Sequence, residues 1–259
     1  MRVLLADAPV TFGPVPGGPL DLDALAQAYA VPSPPATWLR VNMVSTLDGA
    51  ATGADGLTGS INTSADHVVF ELLRAISDVL VIGAGTARAE AYRPVQVTGR
   101  YAVLRAVTGR AAPLALAIVT RSGALPPKVL HRDPAAPVLA VTCADSPGLA
   151  DLRLALGSDQ VIVAGEHEVD LAGTLRQLHA RGLRHVHSEG GPHLLGKLLS
   201  ADLVDELDIT YSPVAVGGPH RRITVADELD RAFRPRLLVE EEGTVMGRWL
   251  RDRPLTTAG

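Results

Sequence analysis

Short apolar runs alternate with helical patterns along most of the chain. WLRVNMVSTL, at residues 38–47, predicts a strand. Apolar positions at helical spacing across residues 64–76 predict a helix with Ser64 as its N-cap. Four further runs are almost entirely apolar, as expected of strands buried on both faces: DVLVIG, LALAIVT, PVLAVT and QVIVAG. Strands that alternate with helices in this way indicate a largely parallel sheet covered on both faces.

The last third of the chain keeps this alternation and then ends in strands. Residues 171–180 and 192–200 predict two more helices, and RHVHS between them predicts a strand. ELDITYSPVAV, PRLLVEEE and TVMGRWLR then predict strands, of which the final pair is expected to be antiparallel. The pattern therefore predicts an α/β fold with a mixed, mostly parallel sheet and helices on both faces.

The first 36 residues differ from the rest in composition. The Pro/Gly-rich segments VTFGPVPGGPLDL and AVPSPPAT flank one short helical pattern at residues 22–29. We therefore interpret residues 1–36 as an N-terminal extension with one short helix, and residues 37–259 as the main domain.

Composition and charge narrow the classes of function. Only 3% of the 259 residues are aromatic, so the core is expected to be built from Ala, Val and Leu. The net charge of −4 and the lack of a basic stripe argue against a nucleic-acid partner. A single cysteine, Cys143, excludes an internal disulfide and a cysteine zinc site, and it fits a reducing compartment. No long uncharged apolar stretch occurs, so we expect no membrane partner and, with this cysteine usage, a cytoplasmic protein. The lone cysteine and the scattered histidines have no sensible ligand spacing, so we expect no metal.

Two glycine-containing segments partly match nucleotide-binding motifs. GAGTAR follows a predicted strand, but Arg88 stands where a dinucleotide fingerprint needs its third glycine. An ordinary tight turn into a helix explains this segment equally well. GPHLLGK has Walker-A spacing, but Leu198 replaces the Ser or Thr that binds magnesium, and Pro192 with the following leucines predicts a helix there. What remains is a Gly190-Gly191 turn into a helix N-terminus, a place that favours an anionic pyrophosphate.

A third segment, His187-Ser188-Glu189, matches half of a nucleobase-deaminase motif. The other half requires a pair of cysteines to hold zinc. With one cysteine in the chain, deaminase activity is excluded.

Four motifs occur in a specific order: STLDGAAT, LLRAISDVLVIGAGTAR, IVTRSG and SEGGPHLLGKLLSADLVDEL. Over roughly residues 38–251 the chain resembles the reductase domain of the bifunctional riboflavin-biosynthesis deaminase/reductase, and more closely the free-standing pyrimidine reductases of that family. The resemblance implies a dihydrofolate-reductase-like fold and a homodimer. It also implies NADPH-dependent reduction of a 5-amino-6-(ribosylamino)uracil phosphate to its ribitylamino form.

The resemblance also implies the positions of the cofactor. Those expected to line it, to receive its pyrophosphate or to lie near its 2′-phosphate are Gly83, Gly85, Thr86, Gly190, Gly191, His193, Leu194, Thr120, Arg121, Ser122 and Thr142. Arg121 is the candidate for selecting NADPH, because a guanidinium binds phosphate with two parallel hydrogen bonds.

The substrate side is expected at other strand ends. Candidate substrate-binding residues are Asn42, Ser45, Thr46, Arg74 and Arg93. Asp48 and Glu189 are candidate proton donors, whose pKa we expect to be raised by enclosure beside the nicotinamide. Simpler interpretations exist for three of these residues: a plain turn at Asp48, a solvated strand end at Glu189, and a surface ion pair at Arg74.

Two departures from the family pattern concern the substrate. Ala50 replaces a lysine that often follows the Asp-Gly pair, and His67 replaces an arginine of the next helix. Arg93, in AEAYRPV, stands where the family usually has a D-D-P turn. Reduction of a pterin or dihydrofolate on the same fold therefore stays open, as does a non-catalytic nucleotide-binding protein.

Overall fold

Ten strands and seven α-helices are present in the computed structural model, which describes residues 1–6, 20–31, 37–110, 112–130 and 133–252. The strands are β1 (Arg2–Ala6), β2 (Trp38–Thr46), β3 (Val79–Gly83), β4 (Ala115–Val119), β5 (Val138–Thr142), β6 (Val161–Val163), β7 (His185–Ser188), β8 (Glu206–Ser212), β9 (Phe233–Glu241) and β10 (Thr244–Arg251). The helices are α1 (Leu22–Ala28), α2 (Ser64–Ala75), α3 (Ala84–Ala89), α4 (Gly99–Val107), α5 (Leu149–Leu156), α6 (Leu171–Ala180) and α7 (Pro192–Ser200).

All ten strands join one sheet in the order β1-β9-β10-β8-β2-β7-β3-β4-β5-β6. From β8 to β6 every neighbouring pair is parallel, whereas β1, β9 and β10 are antiparallel to their neighbours. The predicted mixed, mostly parallel sheet is confirmed. Because β2, β7 and β3 are adjacent and parallel, their carboxyl ends meet at one edge of the sheet.

Alternate residues of the central strands pack against different layers. Val79 and Val81 belong to a buried cluster that includes leucines of α6 and α7. Leu80 and Ile82 point the other way, into a cluster with Ala84 and Ala87 of α3. Helices therefore cover both faces, and the all-apolar runs are explained by burial on both sides. In the described part of the chain, no helix is long and apolar enough to cross a membrane.

The N-terminal residues contribute to the same sheet. β1 pairs with β9 as an edge strand, which the interpretation of residues 1–36 as an extension with one short helix does not include. α1 is held by guanidinium groups of the main sheet: Arg40 Nη2 donates to the carbonyl oxygen of Tyr29 at 2.9 Å, and Arg248 Nη2 donates to that of Ala30 at 3.1 Å. Most of the two Pro/Gly-rich segments lies outside the described residues, and the domain boundary at residue 36 stays a prediction.

The start of α2 differs by one residue from its prediction. Thr63, not Ser64, is the N-cap, because the Thr63 side chain accepts a hydrogen bond from the backbone N–H of Asp66 at 3.2 Å. Ser64 is thereby the first helical residue.

Candidate active site

A cavity of about 1000 Å³ opens at the carboxyl ends of β2, β7 and β3. Ligands of parallel α/β sheets bind at this edge. Ten of the candidate residues line the cavity: Asn42, Arg74, Gly83, Gly85, Thr86, Arg93, Glu189, Gly191, His193 and Leu194. The cavity thus brings predicted cofactor and substrate residues together.

Glu189, directly after β7, is the centre of a buried charged cluster. Arg74, in the last turn of α2, donates from Nε and Nη2 to the two carboxylate oxygens at 2.6 and 2.9 Å. Tyr92 Oη donates to Oε2 at 2.5 Å. The Arg74 guanidinium also lies 4.0 Å from the ring centroid of Phe70, so it is fixed on two sides.

These contacts reverse the expected pKa of Glu189. Burial alone raises the pKa of a carboxyl group, but the charge and hydrogen bonds of Arg74, together with the contact from His187, lower the pKa of Glu189 to about 2. The expectation of a raised pKa is therefore wrong, because its argument considered enclosure without the paired cation. Glu189 is an anion at neutral pH and serves as a hydrogen-bond acceptor.

His187 is fully buried beneath this cluster, with Nε2 3.5 Å from Glu189 Oε1. Burial lowers the pKa of His187, since the charged imidazolium would lose its hydration. It acts as a neutral support for the carboxylate.

Asp48 lies outside the cavity wall and is exposed. Thr46 Oγ1 donates to its Oδ1 at 2.5 Å, and the backbone N–H groups of Val216 and Gly217 donate to Oδ2 at 3.1 and 2.7 Å. These hydrogen bonds lower the pKa of Asp48, so the expected raised pKa is wrong here too. Asp48 anchors the loop after β8 to the end of β2.

The same turn carries the residues around Ala50. Ser45 and Thr46 do not line the cavity: the Ser45 hydroxyl donates to the Thr46 carbonyl at 3.0 Å, and Thr46 Oγ1 accepts the Ala50 N–H at 2.9 Å. The next N–H, of Ala51, donates to the carbonyl oxygen of Arg221 at 2.8 Å. This contact holds the backbone of Arg221, a residue of the cavity wall, next to Ala50, which stands where the family often has a lysine.

Two glycine-rich turns meet at the other end of the cavity. Gly83 precedes α3, and its N–H donates to the Gly190 carbonyl at 3.0 Å. A Cβ on Gly191 would lie 2.3 Å from Thr86 Oγ1, so a side chain at position 191 would push the Thr86 hydroxyl out of its place. Gly190 has φ +82° and packs against Met43, and the Gly190–Gly191 peptide is cis.

α7 begins at this turn without a side-chain cap on Gly191. The backbone N–H groups of His193 and Leu194 are thus among the free donors of the first helical turn, and both residues line the cavity. This end has the shape and the donors for a pyrophosphate.

The remaining cofactor candidates lie further along the same sheet edge, beyond the cavity wall. Thr120 is buried and donates to the Ala124 carbonyl at 3.3 Å, while exposed Arg121 donates from Nε to the His167 carbonyl at 3.3 Å. Ser122 accepts the Ala124 N–H at 3.3 Å, and the hydroxyl of Thr142, at the end of β5, is buried without a partner. β4 is adjacent to β3, and β5 is adjacent to β4, so these residues continue the row of strand ends that starts at Gly83.

Several cavity residues were missed by the sequence interpretation. Asp66 looked like an ordinary acidic residue of a first helical turn, and Tyr92 lay in a segment with no recognised motif. Phe70, His220 and Arg221 also line the cavity. Within the described ranges, no group of three or more His, Cys, Asp or Glu side chains could hold a metal ion.

The geometry agrees with comparisons to known proteins. The model of the RibD C-terminal domain family matches residues 37–244. This chain belongs to that family. A relative from Archaeoglobus fulgidus, named 2,5-diamino-6-ribosylamino-4(3H)-pyrimidinone 5′-phosphate reductase, is 29% identical over 184 residues, which cover 70% of this chain and 82% of the relative. A relative of the same name from Methanothermobacter thermautotrophicus is 30% identical over 207 residues, covering 76% and 89%.

Solved structures share the fold. A pyrimidine reductase-like protein from Corynebacterium diphtheriae superposes with a TM-score of 0.75 at 23% identity, covering 84% of this chain and 93% of its own. RibD from Acinetobacter baumannii gives a TM-score of 0.65 at 21% identity, covering 84% of this chain and 59% of its own. The predicted α/β reductase fold and the predicted family are confirmed.

Proposed function

We propose that this protein is an NADPH-dependent reductase that converts a ribosylamino-pyrimidine phosphate, such as 5-amino-6-(ribosylamino)uracil 5′-phosphate, to its ribitylamino form. The observation that carries this proposal is a single cavity that joins a glycine-lined end to the Glu189–Arg74–Tyr92 cluster. Membership in the RibD C-terminal domain family and the names of two relatives support the same reaction.

The glycine-lined end fits a dinucleotide. A Cβ on Gly85 would meet no atom within 4 Å, so the backbone there faces open cavity, and the first turn of α7 offers free N–H groups nearby. Gly85, Thr86, Gly191 and the amides of His193 and Leu194 would hold the cofactor, whose dihydronicotinamide supplies a hydride. Reaction then depends on how the protein orients the substrate against it.

The Glu189 cluster fits the polar part of the substrate. A carboxylate fixed by Arg74 and Tyr92 is a rigid acceptor for N–H or O–H groups, and Asn42 on β2 adds an amide to the same wall. Arg93 and Arg221 also line the cavity, and within the described residues neither has an acidic partner. Cations of this kind are available to a phosphate.

Comparison of candidate substrates tests the proposal against its rivals. We expect cofactor oxidation with the uracil or the 2,5-diamino-pyrimidinone ribosylamino phosphate, and none with dihydrofolate or a pterin. Turnover of dihydrofolate alone would favour the pterin-type reductase. Binding of NADPH without turnover of any candidate would favour a non-catalytic nucleotide-binding protein.

Arg221→Gln is expected to raise the KM for the phosphorylated substrate by about tenfold, since a hydrogen bond to a charged group contributes about 1.5 kcal/mol or more. The loss should disappear with the dephosphorylated riboside. Steady-state kinetics on both substrates measure this. Arg222→Gln is the control, because Arg222 is an exposed neighbour outside the cavity wall. Equal effects of Arg221→Gln on both substrates would contradict a phosphate contact.

Arg121→Ala is expected to weaken NADPH binding by about tenfold and to leave NADH nearly unchanged, because only NADPH carries the 2′-phosphate. Titration of cofactor fluorescence with both cofactors measures the change. Arg234→Ala is the control, because Arg234 is an exposed arginine of β9, in the antiparallel part of the sheet and outside the cavity wall. Similar losses for NADPH and NADH would contradict the assignment. The homodimer implied by the resemblance and the cytoplasmic location expected from the sequence stay predictions, and sedimentation velocity measures the first.

A further inference from the structure

Asp66 is a buried carboxyl group in the cavity wall, and its surroundings differ from those of Glu189. It lies in the first turn of α2, and the residue is only 2% exposed. Thr210 on β8 donates its hydroxyl to Asp66 Oδ1, which turns the side chain toward the sheet and the cavity. In the described part of the chain, no Lys or Arg side chain forms an ion pair with it, whereas Glu189 is paired with Arg74.

This difference shifts the pKa values of the two carboxyl groups in opposite directions. Burial raises the pKa of Asp66, and the nearby Glu189 carboxylate adds to the effect. The hydrogen bond from Thr210 and the charge of His67, an exposed residue of the same helix, offset it only in part. Of these two carboxyl groups, Asp66 therefore holds a proton more readily than Glu189 does.

The proposed reaction needs one proton at a defined atom. When a cyclic ribosylamine is reduced, the bond between C1′ and the ring oxygen breaks, the exocyclic nitrogen lone pair forms a C1′=N bond, and hydride then adds to C1′. The ring oxygen takes up a proton and becomes the 4′-hydroxyl group, so one hydride and one proton are consumed. Without an acid, this oxygen would leave as an alkoxide, which is the harder route.

The other polar groups of the central cavity wall are poor donors for this step. Glu189 has no proton at neutral pH, and the Tyr92 hydroxyl is engaged with it, with burial and the Glu189 charge raising the pKa of Tyr92. Arg74 is bound to the same carboxylate, which holds its pKa above that of an ordinary guanidinium against the opposing effect of burial. His193, in the first turn of α7, and His220, next to Arg221 in the chain, also line the cavity, so substitution of each histidine tests it as an alternative donor.

We propose that Asp66 is the acid that protonates the ribosyl ring oxygen as the C1′–oxygen bond opens. This role rests on the proposed reductase function. It assigns two tasks to two carboxyl groups: Glu189 binds and orients the substrate as an anion, and Asp66 donates the proton.

Asp66→Asn is expected to keep NADPH binding and to lower the hydride-transfer rate by on the order of a hundredfold. In the wild-type protein the rate should fall as pH rises through the pKa of Asp66, and this alkaline limb should be absent in Asp66→Asn. Single-turnover kinetics across the pH range measure both effects. Cofactor binding and circular dichroism check that the variant is folded.

Thr210→Val gives an independent test that leaves the carboxyl group in place. The Thr210 hydrogen bond lowers the pKa of Asp66, so its removal should shift the alkaline limb to higher pH. A merely structural role of Asp66 predicts no such shift. An alkaline limb that persists in Asp66→Asn, or that is lost in His193→Gln or His220→Gln instead, would overturn the proposal.

Different results would contradict the reductase function and the role of Asp66. If the wild-type protein reduces neither ribosylamino-pyrimidine phosphate, the reductase function is wrong, and the role of Asp66 with it. If the wild-type protein is active and Asp66→Asn is equally active with the same pH profile, only the role of Asp66 is wrong.

Discussion

Glu189→Gln is expected to lower the free energy of unfolding by about 3 to 5 kcal/mol at neutral pH, the usual cost of removing one partner of a buried ion pair. The side chains of Arg74 and Glu189 are 15% and 3% exposed, so little water replaces the lost partner. Glutamine preserves the shape of the side chain but leaves the guanidinium without a counter-charge. Because Arg74 and Tyr92 are no longer held in the cavity wall, substrate binding should weaken as well.

The pH dependence of this loss has a definite sign. The pKa of Glu189 is lowered from a usual value of 4.5 to about 2, so the ion pair contributes its full stability above about pH 4.5. That contribution decreases as pH falls toward 2, where the carboxylate of the native protein becomes protonated. The difference in stability between wild type and Glu189→Gln should therefore be largest at neutral pH and shrink progressively below pH 4.5.

Urea denaturation at a series of pH values measures this difference. Glu71→Gln is the matched control, because Glu71 also pairs with Arg74, at 3.1 Å, but from one turn away on α2 and with a side chain that is 20% exposed. Such a helical pair contributes about 0.5 kcal/mol or less. Equal losses for the two variants, or a Glu189→Gln loss that does not change between neutral and acidic pH, would contradict a buried pair with a lowered pKa.

The elements of the fold differ in how far the sequence alone predicts them. The strands of the parallel half were predictable, because burial on both faces leaves a continuous apolar run such as DVLVIG. β1 was not, since a five-residue edge strand is defined by pairing with β9, more than 200 positions later. α4 was not predicted either, because its nine residues begin with Gly99 and include a buried arginine, Arg105.

In the candidate site, too, the sequence predicts what depends on local pattern and does not predict what depends on contacts between distant residues. Gly83 and Glu189 could be proposed because each stands at, or directly after, the end of a recognisable strand. The electrostatic state of Glu189 could not, since its cation lies 115 positions away on a helix. Asp66 was missed for a similar reason: Thr210, which turns it toward the sheet, lies 144 positions along the chain.

The cofactor and the substrate are expected to occupy different parts of the cavity, so a new side chain should be able to block one of them without the other. Gly85 and Gly59 both line the cavity: Gly85 lies in α3, beside the glycine-rich turns, and Gly59 lies in a 3-10 turn between β2 and α2. A Cβ at either position would meet no atom of the protein within 4 Å, and neither glycine has a positive φ. Each therefore accepts a side chain without clashing with the fold, and each new side chain would enter the open cavity.

Gly85→Val is expected to raise the dissociation constant of NADPH by on the order of a hundredfold, the upper range for a side chain forced into occupied space, and to leave the substrate KM unchanged. Gly59→Val should do the opposite, raising the substrate KM while NADPH binding is kept. Fluorescence titration of NADPH and steady-state kinetics separate the two outcomes, and thermal unfolding should show both variants close to wild type. This reciprocal pattern distinguishes a loss of ligand space from a general loss of structure, since misfolding would impair both ligands in both variants. If Gly85→Val binds NADPH as tightly as the wild-type protein does, the cofactor does not lie against α3, and its proposed place beside Gly85 and Gly191 is wrong.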